Sequence, residues 1–461
     1  MTEQVMPRVC FVTLGCAKNE VDSANMTARV LQCGFQVVED PETADAVVIN
    51  TCCFIQAATE ESIEAIFDVC GLDNFVQGDA KLVVAGCMPA RYGQDLETEL
   101  PEAQSFVPCS KEDDIALVLC GLFGMEAPEQ AVGPVSETSP FSVSPASYVK
   151  ISDGCDRFCS FCAIPYIRGR YHSFTAQDIH DEVSKRVSEG VREITLIAQD
   201  TGCWGREYRR GKTPEQTRVL AEMALQDTYE TPLNTAQLLD SLARAFPDTW
   251  FRVMYMEPEG VTDQLLRVIA GHDNICNYLD VPFQHASPSV IRAMNRKGSG
   301  ADYLALIERM RDAVPGITLR TTLISGFPGE TQHDHEMLLD FLEEAQLDYV
   351  GVFPYSREEG TAAAEMEGQI DEDVAISRAQ EIRDLCDSIG EMRVAQRIGQ
   401  VMDVVVLGCE EDGQLYGRAM CQGPEVDGVV YLESGEPGQV ISVEISDTLV
   451  YEMEGEVVDG R

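Results

Sequence analysis

Over the first ~130 residues, short apolar, β-branched runs alternate with stretches of helical spacing. "RVCFVTLGC" (8–16), "DAVVINTC" (45–52) and "KLVVAGC" (81–87) read as strands, and each run ends at a cysteine. Helical patterns at 21–35 and 58–72 lie between them. Strands joined by helices predict a parallel sheet, whose strands present their carboxyl ends along one edge. Cys16, Cys52 and Cys87 are therefore expected to converge there. Residues 125–147, rich in Pro, Ser and Glu, read as a linker.

A second series follows, with strands expected at 147–152, 193–199, 250–256, 278–282, 317–325 and 349–355. Six strands with intervening helices suit a partial (β/α)6 barrel, whose chemistry sits at the carboxyl ends of its strands. A stretch of helical spacing at 371–399 closes this part, and from about residue 400 the period changes to two. That change predicts a small C-terminal β-barrel. The expected fold class is thus α/β, in three domains at 1–130, 145–390 and 395–461.

The chain's 461 residues are enough for roughly three cores. The longest apolar run near a loop, "IALVLCGLFGM" (115–125), is far short of a membrane span. The N-terminus shows no secretory pattern, so the expected compartment is the cytoplasm. Seventeen cysteines, odd in number and irregular in spacing, do not suggest a disulfide framework. They are expected to divide into metal ligands and small buried hydrophobes. The net charge of −44 repels a phosphate backbone and favours a basic protein partner, whether it reflects function or a general acidity of the source's proteins.

"GCDRFCSFCAIP" (154–165) carries Cys155, Cys159 and Cys162 just past the first strand of the expected barrel. Thiolates at this spacing can hold three corners of a four-iron, four-sulfur cube and leave one iron open. Zinc is the alternative, but it needs a fourth ligand, and His172 lies ten residues past Cys162.

CxxxCxxC in this position, with Phe161 before its last cysteine, resembles the radical S-adenosylmethionine superfamily. "LGCAKN", "NTCCFI" and "GC" around the first triad are similar to the methylthiotransferases within it. That resemblance covers essentially the whole chain, including a C-terminal barrel called TRAM. It implies two 4Fe-4S clusters, the radical-generating one on Cys155, Cys159 and Cys162 and an auxiliary one on Cys16, Cys52 and Cys87. It also implies two S-adenosylmethionine molecules per turnover. Cys53 departs from the family, which usually has Gly there; alternation along a strand is expected to turn it away from the site. The other ten cysteines show no ligand spacing and are expected to pack in the core.

Several segments are candidates for S-adenosylmethionine. Gln199 and Asp200 end the second barrel strand, and "LISGFPGET" (323–331) offers Gly326 and Glu330 in a tight turn. Arg320 could meet a carboxylate or form a structural ion pair. Gln284 and His285 stand at another strand end, where a lone His is more often structural. His333 and His335, two positions apart on a helix, do not share a face and are not expected to bind metal. No catalytic side chain is singled out.

"QHAS", "YSREEGT" and "EVDGVVYL" are similar to the branch called RimO, which acts on an aspartate of a small-subunit ribosomal protein, the one numbered twelve. Residues 395–461 hold fourteen Asp and Glu against three Arg, which suits a basic protein and makes tRNA an unlikely partner. The basic island "GREYRRGK" (205–212) is either an rRNA contact or a solvated loop. Phe174 replaces the family's usual Arg. A flavodoxin or ferredoxin is the expected reductant. The alternatives are a tRNA methylthiotransferase and a two-cluster electron carrier or scaffold.

Overall fold

A computed structural model describes residues 6–126, 144–209, 212–224, 226 and 231–458. The chain divides into two compact units. The first comprises residues 1–142 with 154–157 and 162–171, and the second the remainder.

In the first unit, β1 (Arg8–Thr13), β2 (Gln36–Val38), β3 (Ala46–Thr51), β4 (Lys81–Gly86) and β5 (Ser105–Pro108) form a parallel sheet in the order β2-β1-β3-β4-β5. β3 is buried along its whole length, as a central parallel strand covered on both faces must be. Its neighbours β1 and β4 align Thr13 with Asn50 and Thr51 with Gly86, so three adjacent strands finish level with one another. The edge strands β2 and β5 are only three and four residues long and leave no periodic signal. Most of the expected linker, residues 127–143, lies outside the described residues.

The second unit opens with β6 (Ala146–Lys150) and β7 (Ser152–Asp153). β7 pairs antiparallel with β8 (His172–Ser173), and this short clamp brings together the two ends of the cysteine-bearing segment. Parallel strands β9 (Glu193–Ile197), β10 (Trp250–Val253), β11 (Tyr278–Asp280), β12 (Thr318–Ser325) and β13 (Tyr349–Pro354) follow. They form two three-stranded sheets, β10-β9-β6 and β11-β12-β13, joined by a parallel bridge between Phe251 and Ile275. This is a partial barrel, with β6 and β13 as its outer strands. Its core runs from Val149 and Leu196 through Phe251 and Phe283 to Leu342. The helix Glu372–Ala395 packs on β12 and β13.

β14 (Val401–Cys409), β15 (Leu415–Ala419), β16 (Val430–Leu432), β17 (Val440–Leu449) and β18 (Glu452–Val457) close a small barrel in the order β14-β15-β16-β18-β17. The sequence pattern missed β18, where the period-two signal rests on Met453 and Gly455 between glutamates. This barrel rests on the amino-terminal halves of the larger barrel's strands. Arg418 pairs with Glu193 at 2.8 Å, Arg252 donates to Met420 O at 2.8 Å, and Tyr278 donates to Asp427 at 2.5 Å. The carboxyl ends of those strands are left to other work. Among the described residues, no helix is long and apolar enough to cross a membrane.

Candidate functional site

Cys16, Cys52 and Cys87 stand just past the level ends of β1, β3 and β4. Cys16 is the exposed N-cap of the helix Ala17–Gln32, whereas Cys52 and Cys87 are buried. Two glycines make the approach possible. Gly15 has φ +99°, and a Cβ on it would lie 2.6 Å from that of Cys52. Gly86 has φ +94°, and a Cβ there would run into Asn50 and Thr51. Ser62, on the helix Gln56–Cys70, accepts from the Cys52 amide at 3.0 Å and donates to its carbonyl at 2.8 Å.

Asn19 ties the strand ends together. Its Nδ2 donates to Leu14 O at 2.8 Å and Thr51 O at 3.1 Å, while its own carbonyl accepts from Asn50. Arg168 completes the surroundings, with Nη2 2.9 Å from Asp22 and 3.9 Å from the Cys87 sulfur. Burial pushes the Cys52 thiol up to about 11, and nearby Cys87 and Cys16 add to the rise. A hydrogen bond with Cys109 draws the Cys87 thiol down to about 7 against the effect of burial, and Arg168 helps. The three thiols thus feel one another electrically.

Among the described residues, no three His, Cys, Asp or Glu side chains converge on a point suited to a single metal ion. A four-iron cube takes one thiolate per iron, so its ligands need not share a point. The donor set fits such a group: three thiols on one sheet edge, a buried cation beside them, and a buried Asn50 Oδ1 without a hydrogen-bond partner among the described residues.

Cys53 is fully buried in the core of the first unit with Val84 and Met88, and burial holds its thiol well above the usual range. The reason differs from strand alternation, because β3 stops at Thr51 and both cysteines lie beyond it. Cys109, expected to pack in the core, does so, and its contact with Cys87 also places it beside the triad. Asn19, Ser62 and Arg168 carried no motif that spacing alone would single out.

The second triad lies in the segment held by β7 and β8. Residues 154–157 and 162–171 belong to the first unit and 158–161 to the second. Gly154, at φ +70°, lies so close to Arg170 O that a Cβ would stand 2.5 Å from it. Cys155 is buried and its amide donates to Gly169 O at 3.2 Å. Cys162 is followed by the one-turn helix Ile164–Ile167, whose Ile167 packs in the first unit's core. In the second unit, Phe158 takes a left-handed backbone (φ +50°), and Asn295 donates to its carbonyl at 2.9 Å. Arg296 Nη1 stands 3.8 Å from the Cys159 sulfur while the same guanidinium pairs with Glu257. A cation therefore stands beside Cys159.

The carboxyl ends of the barrel strands carry buried polar atoms without a hydrogen-bond partner among the described residues. These include Ser152 Oγ after β6, Gln199 Oε1 after β9 and Ser325 Oγ at the end of β12. Buried polar groups are normally paired, so a run of such atoms at one end of a barrel fits a polar ligand such as S-adenosylmethionine. Asp200 is buried beside Gln199 and accepts from the Cys203 thiol at 3.0 Å.

The other cofactor candidates are engaged within the protein. Arg320 pairs with Asp280 at 3.0 Å and Asp427 at 3.3 Å, low on β12 and next to the small barrel. This is the structural ion pair, and the position on the strand explains it. The freedom of Gly326 (φ +76°) admits Ala375 of the helix Glu372–Ala395, which occupies the place of a Cβ. Glu330 accepts from the Gly326 and Phe327 amides at 2.7 and 3.1 Å and pairs with Arg378 at 2.9 Å. Both residues hold the strand end in shape. His285 is buried and structural, accepting from the Ser287 amide at 3.0 Å, and Gln284 takes a left-handed turn that bridges to Leu323. His335 pairs with Glu381 at 2.9 Å. Phe174 packs on the barrel core. Residues 210–211 of the basic island lie outside the described residues.

Three family descriptions match the chain: Uncharacterized protein family UPF0004 over residues 8–108, the Radical SAM superfamily over 149–342, and the TRAM domain over 398–458. Among curated proteins, the "Ribosomal protein uS12 methylthiotransferase RimO" of Symbiobacterium thermophilum is 37% identical, covering 98% of this chain and 91% of its own. The protein of the same name from Trichlorobacter lovleyi is 36% identical over the full length of both chains. That of Clostridioides difficile is also 36% identical, covering 98% of this chain and 99% of its own. A solved structure of the radical S-adenosylmethionine methyltransferase TsrM from Kitasatospora setae, with cobalamin and a [4Fe-4S] cluster bound, superposes with a TM-score of 0.52. It is 14% identical and covers 78% of this chain and 77% of its own, a likeness of fold.

Proposed function

The chain belongs to the ribosomal protein uS12 methylthiotransferase family, a branch of the radical S-adenosylmethionine enzymes, and on that footing we propose that it methylthiolates the β-carbon of an aspartate in ribosomal protein uS12. It is a transferase that uses iron–sulfur clusters and S-adenosylmethionine. Cys155, Cys159 and Cys162 hold the radical-generating cluster, and Cys16, Cys52 and Cys87 hold the auxiliary one. When bound, the first supplies the electron that cleaves S-adenosylmethionine, and the second supplies the sulfur.

The protein's own part is to place and shield these groups. Gln199 and Asp200 orient the S-adenosylmethionine from the end of β9, while Gly326 and Glu330 fix the loop after β12. Arg296 and Arg168 set a positive charge beside each thiol triad, where burial would otherwise disfavour thiolates. The six cysteines in two triads, each short of a full set of four ligands, carry this reading over that of an electron carrier.

The choice of a protein substrate over tRNA draws on the small barrel. Between residues 398 and 458 the one basic side chain is Arg418, and it is buried against Glu193. Glu410, Glu411, Asp412, Glu433, Glu436 and Glu454 are among its exposed acids. Such a surface repels phosphate and attracts a Lys- and Arg-rich ribosomal protein. The reaction takes place in the cytoplasm, with a flavodoxin or ferredoxin as electron donor. Deleting the gene and weighing both uS12 and the tRNA nucleosides tests the proposal. Loss of the methylthio mass from uS12 is expected, and its loss from tRNA alone would overturn the substrate.

A further inference from the structure

Arg168 lies six residues past Cys162, yet its side chain serves the other triad. Its Nη2 donates to Asn19 Oδ1 at 2.7 Å and to Asp22 Oδ2 at 2.9 Å, and stands 3.9 Å from Cys87 Sγ. The ion pair with Asp22 is enclosed, with both side chains 2% exposed. Asn19 carries the linkage onward, because its amide is bound to the carbonyls after β1 and at the end of β3. Ile167, next to Arg168, accepts from the Cys109 thiol at 3.5 Å and packs in the same core as Cys87. The segment that follows one set of cysteines is therefore built into the site of the other.

We infer that Arg168 is a positioning residue for the auxiliary cluster, setting its reduction potential by charge and fixing the 162–171 segment to it by hydrogen bonds. The inference rests on the reading of Cys16, Cys52 and Cys87 as a cluster site. Thiolate ligands bring several negative charges into a buried place, and reduction adds one more. A guanidinium within 4 Å of one sulfur favours the reduced state and so raises the potential. Asp22 meets the same Nη2 and offsets part of that charge. Lysine would keep the charge as a compact ammonium on a stem of different reach.

The test uses the full chain, loaded anaerobically with iron and sulfide, as wild type, Arg168→Lys, Arg168→Met and the double variant Arg168→Met with Asp22→Asn. Iron and sulfide per chain are counted, and both clusters are titrated potentiometrically by electron paramagnetic resonance. The cluster on Cys155, Cys159 and Cys162 acts as the reference within each molecule. In Arg168→Met the auxiliary midpoint should fall relative to that reference, and Arg168→Lys should restore most of the difference. The double variant, which also lacks the Asp22 charge, should lie between Arg168→Met and wild type. It also carries the test if Arg168→Met does not fold. Full iron loading with an unchanged auxiliary potential in either methionine variant would overturn the inference. Wild-type protein that loads only one cluster would instead overturn the reading of the triad.

Discussion

Arg418 of the small C-terminal barrel and Glu193, the first residue of β9, form an ion pair at 2.8 Å in which the carboxylate is wholly buried. Glu193 also accepts from Arg252 at 2.9 Å, so one carboxylate serves two guanidinium groups. Burial alone would lift its pKa, but Arg418 and Arg252 together hold it below the usual carboxylate range. A depressed folded pKa adds stability that is complete above the unfolded value of about 4.3 and is lost as the pH falls through the folded one. Glu193→Gln should therefore cost about 3–5 kcal/mol at neutral pH by leaving buried charge uncompensated. Thermal unfolding followed from pH 8 to pH 3 should show the gap from wild type closing only below about pH 4.

His285 gives a second acid-sensitive element of the same sign. Burial pushes its imidazole down to about 3, with Asp334, His335 and Arg378 as charged neighbours and Glu330 3.7 Å away. The unfolded chain binds a proton here near pH 6.5, and the folded chain resists it. Stability from this residue is present above about pH 6.5 and declines as the pH falls toward 3. His285→Gln should flatten the pH dependence of unfolding in that window. An unchanged slope would show that the imidazole is not kept neutral.

Gln199 should separate binding from stability. Its buried Oε1 has no hydrogen-bond partner among the described residues, so Gln199→Leu removes an uncompensated desolvation and should leave the melting temperature unchanged or higher. If the atom serves S-adenosylmethionine, the same variant should bind it about tenfold more weakly, the worth of roughly one good hydrogen bond. Thermal melting reads the first quantity, and calorimetric titration of the cluster-loaded protein reads the second.

Gly15, Cys52 and Cys53 make a contrast in one place. Gly15→Ala needs a Cβ 2.6 Å from that of Cys52 on a backbone at φ +99°, so it should displace Cys52 and lose the auxiliary iron, as Cys52→Ala would. Cys53→Ala removes one buried atom from an apolar core and should cost about 1 kcal/mol while keeping the iron. Iron counts on the three purified variants decide it, and loss of iron in Cys53→Ala would make that thiol a ligand.

Much of the architecture was legible in the sequence because its signals are local. The six barrel strands and the three central strands of the first sheet overlap apolar runs that extend beyond the strand itself where, as at Tyr278–Asp280, the strand is short, and parallel topology then placed Cys16, Cys52 and Cys87 at one edge. The cysteine spacing at 155, 159 and 162 is a property of the chain alone. The short strands β2, β5 and β18 escaped notice because three to six residues in mixed company have no period of their own.

Only the tertiary structure decided which partner each polar side chain takes. By sequence Arg320 and Glu330 suit a ligand or the protein equally, and the fold pairs them with Asp280, Asp427 and Arg378. Arg168 is 146 residues from Asp22 in the chain, and nothing in either neighbourhood announces the pair. A buried charge must find a counter-charge wherever the packing brings one, and distance along the sequence does not enter that requirement. The sequence by itself thus determined where the cysteines fall, past the strand ends and along the 155–162 segment, and the three-dimensional packing decided which charges surround them.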